Sequence, residues 1–161
     1  MIKYILIFFF FFNSLNALEI RCKFEEVYSN GDHQTGFFLY KNNMLRYQYY
    51  SSDLFTLFYN KNFYLVKNND KSLIQKLNDK NNVEILNELL DIANKYPDIN
   101  LKYQKNDMFI SLEKSVLNNF YKRISINSEK LNISIYLNEC DFINIKDRFF
   151  IHNPFYEYNF K

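Results

Sequence analysis

Short segments in which apolar and polar residues alternate recur along most of this chain, and they constrain its fold more than any other feature. Residues 20–25 have a period of two, and Leu45, Tyr47 and Tyr49 alternate with polar side chains. Because side chains of a β-strand point alternately to opposite faces, the pattern predicts strands that are buried on one face. Turns of two to four residues separate the early segments, which is typical of a meander of hairpins.

The alternation predicts about eleven strands in a single domain that spans residues 18–161. These segments lie before and after one central stretch, residues 82–95, in which the apolar residues have a different period. The twelve segments that could supply these strands lie at residues 20–25, 36–41, 44–50, 54–59, 63–67, 72–77, 101–104, 108–112, 120–126, 131–137, 142–145 and 149–152.

Helical spacing replaces alternation between residues 82 and 95. Leu86, Leu89 and Leu90 fall on one face of a helix, and Pro97 ends it. The apolar stripe must be covered, and the sheet is the available partner. We therefore predict a mainly β (α+β) fold in which one amphipathic helix packs on the sheet.

Glycine, the usual residue at tight turns, is almost absent, with two in 161 residues. Asparagine is the next best occupant of the left-handed backbone region. Asparagines fall at most of the expected turns, and we predict that they take over this role. They are Asn30, Asn42, Asn43, Asn60, Asn62, Asn68, Asn69, Asn106 and Asn127.

The first 17 residues have the layout of a secretory signal peptide. Lys3 precedes an apolar run at residues 4–12, and Ala17 stands before the expected cleavage site. The alternative is a membrane anchor, but nine apolar residues are too few to cross about 30 Å of hydrocarbon. Small residues that would precede a lipid-modified cysteine are absent before Cys22. We expect an exported protein without a lipid anchor.

After export, the two cysteines, Cys22 and Cys140, would lie in an oxidising compartment. A disulfide between them could stabilise the fold by up to roughly 4.7 kcal/mol on the chain-entropy model. The alternative is two separate buried thiols. Neither His33 nor His152 has a spacing from them that suits a metal, so no metal site and no cofactor are expected.

The sequence contains no recognisable catalytic motif, and we expect a protein that is not an enzyme. Nucleophile elbows, phosphate-binding loops and zinc signatures are absent from the sequence. Glu25 and Glu26 are adjacent on a strand and so should point to opposite faces. The formal net charge of +2 gives no electrostatic reason to expect nucleic-acid binding.

Aromatic residues make up 20% of the chain, and they concentrate on one face of the early strands. They could fill a solid core, or they could line a pocket for an acyl chain. A shift of one residue in register would exchange the two faces. The candidate ligand-facing residues are Phe24, Phe38, Tyr40, Leu45, Tyr47, Tyr49, Leu54 and Phe58 from the strands and Leu86, Leu89 and Leu90 from the helix.

Residues 36–49 resemble the signature of the periplasmic outer-membrane lipoprotein carrier family (LolA-like). A glycine begins a strand, a basic residue and a turn follow, and a Leu-Arg-aromatic-x-Tyr strand returns. The hairpin at residues 54–66, the meander at residues 121–145 and the aromatic segment that ends at Pro154 are also similar to that family. The resemblance covers roughly residues 21–154.

The resemblance implies an incomplete antiparallel β-barrel with a helical lid, located in the periplasm. It implies a monomeric carrier that holds the acyl chains of lipoproteins and delivers them to the outer membrane. An inner-membrane release complex and an outer-membrane receptor would be its partners. Lys41 stands where the family has a lid-latching arginine and would act as a weaker latch. The alternative is an envelope β-domain with a solid core that acts as a sensor or interaction module.

Overall fold

The computed structural model describes residues 18–77, 80–117, 120–129, 131–153 and 157–160. The side chains of residues 80–82 are not described. The predicted signal peptide, residues 1–17, lies outside the described residues. Within these ranges, no helix has the length and apolar character needed to span a membrane.

The described residues form ten strands and one α-helix, which confirms the mainly β class. The strands are β1 (Glu19–Tyr28), β2 (His33–Lys41), β3 (Met44–Tyr49), β4 (Phe55–Asn60), β5 (Asn62–Lys67), β6 (Ile74–Lys76), β7 (Lys102–Lys105), β8 (Met108–Lys114), β9 (Tyr121–Asn127) and β10 (Asn132–Phe142). The helix α1 spans Lys80–Asn94, close to the expected residues 82–95.

All ten strands belong to one antiparallel sheet with the order β6-β5-β4-β3-β2-β1-β10-β9-β8-β7. The sheet does not close, so β6 and β7 are its two edges. The chain passes from one edge to the other through α1. This open sheet is consistent with an incomplete barrel.

The two faces of the sheet follow from the alternation. Along β1, Ile20, Cys22 and Phe24 are buried, whereas Arg21 and Lys23 between them are partly exposed. We call the face that packs against α1 the inner face and the opposite one the outer face. Residues from the two faces form separate apolar clusters.

The described part of the chain has ten strands rather than about eleven: the first ten of the twelve strand-like segments form β1 to β10, and the last two are not separate strands. Residue Phe142 is the end of β10, and a 3-10 helix occupies Asp147–Phe150. Ile145 and Phe150 are buried with Phe37 of β2 in the outer-face cluster. The apolar residues after β10 therefore cover the outer face and do not extend the sheet.

A disulfide joins Cys22 of β1 to Cys140 of β10, as one of the two alternatives predicted. The two strands are neighbours, and their register shifts between Arg21 and Lys23. In β10, Glu139 has a positive φ of 48°. One extra residue of β10 therefore faces Cys22, which is the arrangement of a β-bulge.

Gly36 allows an unusually close approach between β2 and its neighbours. A Cβ atom at this position would lie 2.0 Å from the backbone oxygen of Gln48 and 2.5 Å from the ring of Phe24. Any other residue would push these strands or the Phe24 ring aside. Phe24 can therefore stack on Tyr47, with ring centroids 4.1 Å apart.

Candidate functional site

A cavity of about 310 Å³ lies between α1 and the inner face. Its walls come from the helix and from β1, β3, β4, β5 and β10. Apolar side chains dominate, with a single carboxylate among them. The lining residues are Glu26, Tyr28, Tyr47, Tyr49, Phe55, Leu57, Leu65, Leu77, Ile85, Leu86, Leu89, Leu131, Ile133 and Ile135.

The space nearer the C-terminal end of α1 is much more filled. A void of about 30 Å³ remains there among Leu89, Ile92, Ala93 and the strands beneath them. About 30 Å³ is the share of one water molecule in the liquid. The helix thus packs closely at one end and covers open space at the other.

Ten of the eleven candidate residues contact the inner-face core. Phe38, Leu45, Tyr47, Tyr49, Leu86 and Leu89 line either the cavity or the small void. Phe24, Tyr40 and Leu90 are buried in the same cluster, and Leu54 packs against its edge.

Phe58 is the exception, and its assignment to the inner face is wrong. It lies opposite Arg46 of β3, and the Arg46 guanidinium is 5.2 Å from its ring centroid on the outer face. Leu57 takes the inner position and pairs with Tyr47. Phe58 shares the outer face of β4 with polar Thr56 and Asn60, so alternation within the strand itself favours Leu57 as the inner residue.

Several lining residues were missed by the sequence analysis. Ile133 and Ile135 lie on β10 with the period of two that residues 131–137 display, so alternation could have identified them. Leu65 lies on β5, where it pairs with Leu57 across the sheet. That pairing follows from the register of the β4–β5 hairpin, which its short turn sets.

The described contacts of Lys41 do not include the helix, which contradicts its expected role as a lid latch. Its ammonium donates to the backbone oxygen of Ile145 at 2.7 Å and lies 3.0 Å from Asp147 and 3.3 Å from Glu19. These partners lie at the outer face and in the segment that follows β10. Lys41 therefore fastens to the sheet the segment that follows β10, which we call the C-terminal segment (described residues 143–153 and 157–160). It can do so because odd-numbered residues of β2 point away from α1.

Several of the polar contacts of α1 come instead from the hairpin of β7 and β8. Glu88 is 1% exposed, and its carboxylate accepts a hydrogen bond from the Tyr103 hydroxyl. The Lys105 ammonium lies 2.7 Å from Glu88 and 2.9 Å from Asp91. These hydrogen bonds raise the pKa of Lys105. At the helix end, Asn94 bonds to the Tyr40 hydroxyl.

Glu26 provides a buried polar group in the wall of the cavity. It is 4% exposed, and its carboxylate accepts hydrogen bonds from the hydroxyls of Tyr47 at 2.6 Å, Tyr28 at 2.7 Å and Tyr49 at 2.9 Å. Burial and the Glu26 charge raise the pKa of Tyr47 and of Tyr49 well above the ordinary value. The three phenols stay neutral and solvate the carboxylate in place of water.

No protein-family model and no curated protein matches this chain. Among the described residues, no group of three or more His, Cys, Asp or Glu side chains could hold a metal ion.

Proposed function

We propose that this chain is a periplasmic carrier that binds the acyl chains of lipoproteins, or of other lipids, and moves them towards the outer membrane. The observation that supports the proposal is the cavity of about 310 Å³ with apolar walls beneath α1. Apolar cavities lined by aliphatic and aromatic residues with few polar groups are typical of small-molecule binding sites. The resemblance to the lipoprotein carrier family points to the same class of cargo.

The volume of the cavity favours one acyl chain at a time. At about 30 Å³ for each water-sized group, a cavity of this volume holds about ten such groups. A cargo with several chains would require α1 to move away from the sheet. The hairpin contacts of Glu88 and Asp91 would then have to break.

Binding of this kind needs no chemical step. Burial contributes about 0.8 kcal/mol for each methylene, so ten methylenes contribute roughly 8 kcal/mol. The freedom lost on association offsets part of this gain, which keeps binding reversible. On this proposal an inner-membrane release complex supplies the cargo and an outer-membrane receptor accepts it from a monomeric carrier.

Displacement of a fluorescent fatty acid from the purified protein tests the proposal. Saturable binding is expected, and Leu86→Glu should weaken it by at least roughly tenfold because a charge would enter the apolar cavity. Asn87→Glu adds the same charge at the exposed neighbouring position of α1 and should leave affinity unchanged. Absence of binding to the unmodified protein, or equal loss in the two variants, would contradict the proposal.

The second candidate is an envelope sensor or interaction module with a solid core. The nearly filled space beneath the C-terminal half of α1 favours it. A module of this kind would bind no acyl probe and would carry no lipid from expression. The same displacement experiment therefore separates the two candidates.

A further inference from the structure

The outer face carries a second cavity that the carrier function does not use. It has a volume of about 440 Å³ and lies between strands β3 to β5 and the C-terminal segment. Its charged lining residues are Arg46, Lys67, Lys71 and Glu157, so cations outnumber anions by three to one. Aromatic rings, among them Phe37 and Phe58, form much of the remaining wall.

Arg46 is a buried cation at the base of this cavity. It is 6% exposed, and its guanidinium lies over the rings of Phe37 and Phe58. Its described hydrogen bonds go to neutral oxygens, namely the side-chain oxygen of Gln48 at 2.6 and 3.0 Å and the backbone oxygen of Phe149 at 3.3 Å. Three of the five N–H donors of a guanidinium are thereby used.

Removing a cation from water is costly unless an anion compensates it. Burial lowers the pKa of Arg46 to about 10, which is the expected effect of incomplete compensation. Glu157 is the carboxylate that lines the cavity, and it forms an ion pair with Lys71. The cavity therefore has a positive excess beside a buried guanidinium.

We propose that the outer-face cavity binds a phosphate group carried by a small organic molecule, with Arg46 as the principal ligand and Lys67 and Lys71 as supporting charges. The described hydrogen bonds of Arg46 leave one N–H donor on each terminal nitrogen, and these two donors can bind phosphate oxygens. The volume exceeds that of a free phosphate, and the aromatic walls suit an apolar or ring-containing remainder. The sheet separates this site from the inner-face cavity, which lies beneath α1.

A purely structural role for Arg46 is the competing explanation, because its bond to the Phe149 oxygen ties the C-terminal segment to β3. That role predicts no ligand and no effect of the two lysines. Lys67 and Lys71 are exposed, so their replacement tests binding without disturbing the core. Arg46→Gln is informative only as a supplement, because it can also weaken the fold.

Calorimetric titration of the full chain with benzyl phosphate tests the proposal, with benzyl alcohol as the uncharged comparison. Saturable binding of benzyl phosphate is expected, at least roughly tenfold tighter than that of the alcohol. Lys67→Gln and Lys71→Gln should each weaken it about two- to fivefold. Lys102→Gln, an exposed lysine on the distant strand β7, should leave it unchanged.

A parallel titration with monomeric dihexanoyl phosphatidylglycerol distinguishes the source of the phosphate. Tighter binding of this lipid than of benzyl phosphate would assign the site to a lipid headgroup, and the reverse order would assign it to a soluble phosphoester. Either order supports the site if Lys67→Gln weakens the binding. The proposal would be overturned if neither phosphate probe binds or if benzyl alcohol binds as tightly as benzyl phosphate. It would also be overturned if both lysine variants bind as tightly as the unmodified protein.

Discussion

At the scale of residues, Glu26 and its three tyrosines form a tightly constrained group in the wall of the inner-face cavity. A carboxylate in apolar surroundings is tolerated only when hydrogen bonds replace its hydration. Tyr28, Tyr47 and Tyr49 supply those bonds from two different strands. The group therefore fixes the relative positions of β1 and β3 at the cavity wall.

Tyr47→Phe should lower the free energy of unfolding by about 1.5 to 3 kcal/mol, because it removes a hydrogen bond to a charged group. Urea denaturation measures the change. Tyr64→Phe removes a hydroxyl from the outer side of β5 and should change stability by less than about 0.5 kcal/mol. Equal effects of the two substitutions would show that the Glu26 cluster does not stabilise the fold.

Alternation correctly predicts that Glu25 and Glu26 point to opposite faces, since Glu25 contacts exposed His33 and Glu26 is buried. It does not predict the three tyrosines around Glu26, because their convergence depends on pairing between strands. The residues at the turns were likewise predicted only in part. Asn42, Asn43 and Asn106 adopt positive φ as expected, but Lys61, between two asparagines, takes this conformation in its turn.

At the scale of elements, α1 is held over the sheet by a small number of polar contacts. Glu88 is the central one because it is buried and contacts both Tyr103 and Lys105. Breaking these contacts would leave a buried carboxylate without partners, which is costly. The β7–β8 hairpin, rather than Lys41, therefore supplies contacts that are expected to latch α1 to the sheet.

Lys105→Gln should loosen α1 without unfolding the sheet. The variant removes the ion pairs to Glu88 and Asp91, and partial exposure of Lys105 limits the expected effect to roughly tenfold faster amide exchange in α1. Hydrogen exchange followed by mass spectrometry measures it, with Lys102→Gln on the same strand as control. Unchanged exchange in α1, or an equal increase in β1 and β10, would contradict the latch.

The helix was predictable because its apolar stripe has a clear period and Pro97 follows it. Phe58 was assigned to the wrong face although the two polar residues of β4, Thr56 and Asn60, share that face with it. The segment at residues 149–152 has a strand-like composition, yet tertiary burial of Phe150 selects a 3-10 turn. Local patterns thus predicted the type of each regular element better than they predicted which of its faces is the inner one.

At the scale of the whole molecule, the chain is an open sheet with an apolar cluster on each face. The inner cluster includes α1, and the outer cluster includes the C-terminal segment. Cys22 and Cys140 join two central strands, and 118 positions separate them in the sequence. The class of the fold followed from periodicity, whereas the volume left beneath α1 depends on how side chains from six elements pack.

Reduction of the disulfide should lower the free energy of unfolding by up to about 5 kcal/mol, because the closed loop is long. Denaturant unfolding of oxidised protein, compared with reduced and alkylated protein, measures the difference. The Cys22→Ala/Cys140→Ala double variant should match the reduced form. Equal midpoints for the oxidised and reduced proteins would show that the bond contributes little to stability.

The chain contains no tryptophan, so a single introduced tryptophan can report directly on occupancy of the inner-face cavity. Leu65→Trp places it in the cavity wall, and Tyr64→Trp places it one residue away on the outer face. The measurement is quenching of each variant by a brominated fatty acid of about ten carbons. The carrier account predicts saturable quenching of Leu65→Trp and little quenching of Tyr64→Trp; no quenching, or equal quenching in both, would contradict it.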